Sequence, residues 1–356
     1  MLKFKQDALS VKEIFCYEVN GKPVHSFTLQ NGKISVVITN LGATVVAIHA
    51  PDREGVVDNI TAGFENLRDY EENPHYFGCI VGRYANRIAK GQFVLDGQTI
   101  QLSQNAGVQH LHGGVEGFHK KIWDVHSVIR NADEVGVVLE YFSKDGEEGY
   151  PGNLRVKVKY LLNPKNALSI QYCAETDKRT PVNLTNHSYF NLTGFKDPVI
   201  REHLLDIHAL QITEKNEKNL PTGNRLLLSD TPLDFLSPKK IGEGIDQFPS
   251  DRGYDHNYIL IRDFPGELVP AAELYEPLSG RMLRVFTDQP AVQLYTANWW
   301  DGALVGLQGK PYVKHGAVAL ETQAFPDSPN HPEFPNTILD PGDVYRSVTI
   351  YEFGTR

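Results

Sequence analysis

From Leu154 to Tyr160 the chain alternates, with Leu154, Val156, Val158 and Tyr160 on one side and Arg155, Lys157 and Lys159 on the other. A period of two puts apolar side chains on one face of a strand and charges on the face toward water. Lys33–Thr39 repeats the pattern with Ile34, Val36 and Ile38, and Ala167–Ala174 and Ser347–Phe353 read as further strands. Phe93-Val94-Leu95, then Asp96-Gly97, then Gln98–Leu102 predicts a hairpin, because Asp-Gly accepts the positive φ values of a type I′ turn. Asn31-Gly32 predicts a second turn of that kind. The 30 Gly and 21 Pro fall mostly between such runs, where turns belong. One short helix is predicted over Phe64–Glu72, stopped by Pro74. There is no long segment with a 3.6-residue period, no fixed-period repeat and no low-complexity tract.

A chain built of strands must close or stack its sheets to bury their apolar faces and protect their edges. The prediction is therefore all-β: one large antiparallel β-sandwich domain over residues 1–356. The alternation by itself does not separate a sandwich from a barrel or a propeller. Thr213–Gly223 and Ser237–Arg252 are polar and are read as long surface excursions, since strand-like runs resume after each.

Charge and cysteine narrow the partners. The net charge of −9 argues against nucleic acid and anionic membrane as partners. The N-terminal stretch MLKFKQDALSVKEIF has no apolar run long enough for a signal peptide, and no stretch reaches transmembrane length. Cys16, Cys79 and Cys173 are scattered and odd in number, which suits buried thiols in a reducing compartment. A cytoplasmic protein, monomer or homodimer, is expected.

Chemistry concentrates in a few stretches. TPVNLTNHSYFNLTG places His187 among Asn183, Thr185, Asn186, Ser188, Tyr189 and Asn191, which can hold an imidazole in one tautomer. HGAVALETQAFPDSPNHP carries Glu321. GRYANRIAK sets Asn86 beside Arg87, an amide and a fork that can bind hydroxyls; the plain alternative is a surface arginine before a turn. QHLHGG holds His110 and His112, which on a strand would face one way, and two glycines that allow close approach. A zinc site needs three or four ligands, and spacing supplies no third, so no metal is expected. YDHNY presents Asp255, and VQLYTANWWDG gathers Gln293, Tyr295, Trp299 and Trp300; aromatic faces stack on sugars, or simply pack a core.

Taken together, GRYANRIAKGQF, LHGGVEGFHKKIW, DGEEGYPGNL, NHSYFNLTG, YDHNY and ETQAFPDSPN resemble, in their order, the aldose 1-epimerases, the galactose mutarotases. The resemblance runs from about Asn31 to the C-terminus. It implies the mutarotase-type β-sandwich and an isomerase that interconverts the α and β anomers of free aldohexoses such as galactose and glucose. It implies a catalytic acid at His187, a base at Glu321, and monosaccharide-binding residues at Asn86, Arg87, His112, Asp255 and Gln293, with Tyr189 beside them. It implies no required cofactor. His119, and Asn298-Trp299-Trp300, depart from the family pattern, so larger rings are expected around the pocket.

The chemistry agrees with that assignment on its own terms. Changing the configuration at C1 of a cyclic aldose means breaking the C1–O5 bond, rotating about C1–C2 and closing again. Opening takes one proton off the anomeric hydroxyl and puts one on the ring oxygen, work for a carboxylate and an imidazolium. A glycoside hydrolase would instead need Asp255 and Glu321 as its carboxylate pair. A non-catalytic sugar-binding module would not need both His187 and Glu321. A hexose-6-phosphate epimerase would need further cations for the phosphate.

Overall fold

The computed structural model describes residues 9–356; the first eight residues of the N-terminal stretch lie outside it. Strands dominate, and helix is confined to short 3-10 turns. Three sheets of five, nine and six strands make up the body. Their ladders are antiparallel throughout.

One continuous core joins the three. Phe27, Val36 and Ile48 come from the five-stranded sheet, Val156, Tyr160, Ile170 and Tyr351 from the nine-stranded sheet, and Tyr258, Leu294 and Leu320 from the six-stranded sheet. The nine-stranded sheet is thus covered on its apolar face by the other two, a β-sandwich. The predicted alternation is what builds it. Leu154, Val156, Val158 and Tyr160 are fully buried, while Arg155 is exposed. Each such burial is worth roughly 1.5–3 kcal/mol.

Local expectations fare unevenly. The Asp-Gly hairpin forms, joining Gln92–Leu95 to Gln98–Gln101 with φ of 51° at Asp96 and 77° at Gly97. Asn31-Gly32 does not make a two-residue turn. Asn31 Oδ1 instead accepts from the Lys33 and Ile34 N–H groups at 3.0 and 2.9 Å, so the side chain closes a longer loop. The short helix shrinks to a 3-10 turn, Leu67–Glu71, capped by Asn66. Thr213–Gly223 is no loop excursion: its ends lie in the paired strands Ala209–Lys215 and Pro221–Leu227. That hairpin forms the edge of the six-stranded sheet, where side chains meet water and need not alternate. Ser237–Arg252 is a surface excursion only in part: Lys239–Lys240 pairs with Leu204–Leu205 at the edge of the nine-stranded sheet, and the two 3-10 turns that follow bury Ile241 and Ile245 in the core. Cys16, Cys79 and Cys173 are all free thiols. Among the described residues no helix is long and apolar enough to cross a membrane.

Candidate active site

The six-stranded sheet supplies the floor of the site through its register. Glu321 lies opposite Gln293, Gln293 opposite Asn257, and Asp255 opposite Tyr295. Directly opposed residues share a face, and so do residues two apart. Glu321, Gln293 and Asp255 therefore project to one side from three adjacent strands. Their neighbours Leu320, Leu294 and Tyr258 project to the other, into the core. Tyr189 joins the floor opposite Ala319. Gln293 Nε2 donates to Asp255 Oδ1 at 2.6 Å, which fixes both.

Loops close over this floor. Arg87-Ile88 pairs with His110-Leu111, bringing the Asn86 and His112 turns together. His112 N–H donates to the Asn86 carbonyl at 3.1 Å, and Asn86 N–H donates to His112 Nδ1 at 3.2 Å. Both residues hold positive φ, 62° and 52°. Such backbone costs of order 1–3 kcal/mol at a bulky residue and collects at functional sites. Gly113 serves the backbone, not a ligand: a Cβ there would sit 1.7 Å from the Gly82 carbonyl oxygen. The result is a cleft of about 240 Å³ lined by Asn86, Arg87, His112, His187, Tyr189, Asp255 and Glu321, with Gln293 bonded to Asp255 behind it.

His187 and Glu321 meet in this cleft. Nε2 of His187 stands 3.4 Å from Oε1 of Glu321, and both side chains are almost wholly buried. Burial pushes the Glu321 carboxyl up to about 8, helped by the charge of Asp255 and opposed by Arg87. Burial pulls the His187 imidazole down to about 4, against its own backbone carbonyl and Asp255. Both shifts disfavour charge, so between those limits the pair holds one proton between two atoms within reach of each other. Asp255 behaves differently. Burial pushes it up, but Lys215, Arg87, His256 and the Gln293 hydrogen bond outweigh this and hold it below the usual carboxylate range. Glu321 Oε2 and Gln293 Oε1 are buried acceptors with no partner among the described residues. Acceptors left open in a cleft are where ligand hydroxyls bind.

Some expected neighbours are elsewhere. The amides around His187 do not touch its ring: Asn183 bonds the Ala85 carbonyl and the Ala324 N–H, Asn186 the Gly78 carbonyl, and Asn191 the Gly316 carbonyl. They stitch backbone, and the imidazole lies among aromatic rings instead. His110 and His112 do not face one way, since His112 has left strand geometry; His110 Nε2 bonds the Tyr150 hydroxyl at 2.7 Å. Trp300 is a core residue stacked on Tyr312, whereas Trp299 stands at the mouth of the cleft under the Arg252 guanidinium. Tyr295, gathered with Gln293 from the sequence, lines the cleft as well; His75 and Tyr76 also line it, and nothing in the sequence singles them out. Tyr295 sits two residues after Gln293, so strand periodicity finds it. Tyr76 has φ of 59°, a conformation a tyrosine does not advertise.

His112, His187 and Glu321 offer ligand atoms within 4.8 Å of one another, a set that invites a divalent cation. The tautomer of His112 argues against one. Its Nδ1 accepts the Asn86 N–H, so in the neutral ring Nε2 carries the hydrogen and has no lone pair to give. Burial, then the nearby His187 and Arg87, hold His112 far below its ordinary range and keep it neutral. It is built as a hydrogen-bond donor.

Comparison with known proteins shows what the chain as a whole is similar to. The family model described as aldose 1-epimerase matches residues 25–352. The galactose mutarotase of Bos taurus is 42% identical over 330 residues, covering 93% of this chain and 94% of that protein. The aldose 1-epimerase of Escherichia coli (strain K12) is 37% identical over 340 residues, 94% of this chain and 96% of that protein. Among solved structures, the galactose 1-epimerase from Lactobacillus acidophilus NCFM superposes with a TM-score of 0.85 at 26% identity, over 98% of this chain and 99% of that one. An aldose epimerase homologue from C. elegans gives a TM-score of 0.83 at 27% identity over the same shares.

Proposed function

This chain belongs to the aldose 1-epimerase family, and we propose that His187 and Glu321 are the pair that moves protons in its reaction. It is an isomerase that interconverts α and β anomers of free aldoses. Galactose is the substrate we assign first, with glucose beside it. The observation that carries the assignment is the 3.4 Å approach of two buried, oppositely shifted groups in a cleft the size of a monosaccharide.

In the reading offered here Glu321 takes the proton of the anomeric hydroxyl as His187 gives one to the ring oxygen. The C1–O5 bond breaks, C1 becomes a carbonyl, and rotation about C1–C2 turns its other face to O5. Closure reverses both transfers, so no proton is consumed overall. After opening, Glu321 is protonated and His187 neutral, the states toward which burial drives each of them. Asp255, kept ionised, accepts from sugar hydroxyls. Asn86, Arg87 and Gln293 orient the ring, and His112 Nε2–H donates to an oxygen whose charge grows as the ring opens. Tyr189 packs beside the imidazole at 4.8 Å between ring centroids. Nothing in this sequence of steps calls for a metal or organic cofactor.

The test is polarimetry of freshly dissolved α-D-galactose and α-D-glucose, with wild type, Glu321→Gln and His187→Asn. The wild type is expected to accelerate equilibration of both sugars and each variant to lose that acceleration. A variant equilibrating galactose at the wild-type rate would remove its residue from the proposal.

A further inference from the structure

Tyr76 occupies an unusual position. Its ring lies among three imidazoles: 4.7 Å from His112, 4.6 Å from His119 and 6.0 Å from His187, centroid to centroid. Toward His187 it is nearly parallel, at 22°. Tyr189 lies against the same imidazole at 4.8 Å and 34°, and His112 meets it edge-on at 5.3 Å. His187 Nδ1 is buried and no other residue among those described gives it a hydrogen bond, while Nε2 faces Glu321 Oε1.

A proton donor in a dry pocket presents a problem. Burial expels the imidazolium's charge, and a carboxylate placed to stabilise it would also accept its proton. An aromatic face does neither harm: its quadrupole attracts a cation and offers no lone pair to protonate. The phenol of Tyr76 is itself held out of titration by burial. Its backbone is held too: Tyr76 N–H donates to Asn73 at 3.0 Å, and its carbonyl accepts from the Cys79 N–H at 3.4 Å, next to the Cys79 carbonyl that receives the His187 N–H at 3.0 Å. His119 backs the ring. It is buried, its Nδ1 has no partner among the described residues, and burial followed by Lys120 and Lys121 pulls it down to about 3, so it stays a neutral packing surface.

We propose that Tyr76 is a positioning residue for the reaction: its ring holds the imidazole of His187 with Nε2 toward Glu321 and the sugar, and its face stabilises that imidazole while it carries the proton, with His119 as the buttress. This rests on His187 being the proton donor, as assigned above.

The experiment is a double-mutant cycle on purified full-length protein, with kcat and KM for α-D-galactose from polarimetry. Tyr76→Leu is expected to lower kcat at least 10-fold with KM within threefold of wild type, and Tyr76→Phe to recover most of that loss. In a His187→Asn background, Tyr76→Leu is expected to change the residual rate less than threefold, because its effect passes through the imidazole. Thermal unfolding of each variant confirms a folded state; should Tyr76→Leu unfold, Tyr76→Met takes its place in the cycle. Wild-type kcat in Tyr76→Leu overturns the proposal. So does a loss in Tyr76→Phe as large as in Tyr76→Leu, which would assign the role to the hydroxyl, or a loss confined to KM, which would make Tyr76 a sugar contact. If His187→Asn itself keeps wild-type kcat, the donor assignment fails and the clamp with it. If His187→Asn is inactive while Tyr76→Leu is not, the clamp alone fails.

Discussion

Replacing Glu321 with Gln isolates the proton from everything else that residue does. The strand register that opposes Glu321 to Gln293 does not depend on the side chain, and an amide fills nearly the same volume. It keeps an oxygen for sugar hydroxyls and for His187 Nε2, now 3.4 Å away. What it lacks is an atom that can take a proton at neutral pH. Positioned acid–base help is worth about 10²–10⁴-fold per group, so kcat should fall by that factor, a barrier rise of roughly 2.7–5.5 kcal/mol, while KM changes little. The pH dependence adds a second readout. With the imidazole at about 4 and the carboxyl at about 8, the pair holds one proton between those values, and wild-type kcat/KM should be bell-shaped between them. On the acid side a second proton arrives and no base is left. On the alkaline side the last proton leaves and no acid is left. With the base gone, the one titrating partner left in the pair is the His187 imidazole at about 4, which must be protonated to donate, so the residual rate of Glu321→Gln should lose its acid limb and fall as pH rises through that value. Stability should move as well. A carboxyl whose folded value lies above its unfolded one contributes stability at low pH that is lost as pH rises through the folded value. Glu321→Gln removes that loss, so its Tm should exceed wild type at pH 8–9 and approach it near pH 5. A Glu321→Gln enzyme that equilibrates α-galactose at the wild-type rate, or keeps the acid limb, would refute the reasoning.

Other perturbations have definite signs. Asp255→Asn removes a negative charge that pushes Glu321 up, so the alkaline limb should move to lower pH, with KM raised at least several-fold; Arg87→Ala removes the opposing cation, so its limb should move to higher pH, again with raised KM. Limbs moving the same way in both variants would show that these charges do not act on Glu321. Glu321→Gln combined with His187→Asn should be scarcely slower than either alone in stopped polarimetric assays, because acid and base act in one step. Exhaustive chelation should leave the anomerisation rate unchanged, and equimolar Zn²⁺ should not inhibit, because the tautomer of His112 has no lone pair facing the cleft; activity lost to chelator and restored by one cation would contradict both.

What the sequence makes legible here is whatever lies along a single strand. Alternation over Leu154–Tyr160 needs no partner to be read, since each residue declares its own face, and the burial follows it. The same rule extends into the site. In Val318–Gln323 the residues Val318 and Leu320 belong to the core, and Glu321 lies on the opposite face. A buried carboxylate on the strand face that turns away from the core therefore has to face a cleft, or it would be charged inside a second core. What alternation cannot convey is which strands lie side by side. Asp255, Gln293 and Glu321 are far apart in sequence, and only the order of the six-stranded sheet makes them neighbours. The loops are harder still. Asn86 has an identity that suits positive φ, but Tyr76 and His112 hold the same conformation with nothing in their type to announce it. The surroundings of His187 illustrate the limit. Its sequence neighbours are amides and hydroxyls, which suggested a polar cage. In the fold those amides are consumed by backbone groups of neighbouring segments, because buried N–H and C=O groups must be paired before any side chain is free to serve a ring. The aromatic environment that replaces the cage comes from residues brought there by tertiary structure, with Tyr76 more than a hundred positions upstream. A catalytic histidine flanked by polar sequence can thus be, in space, a histidine held by tyrosines, and the chemistry expected of it follows from the second description.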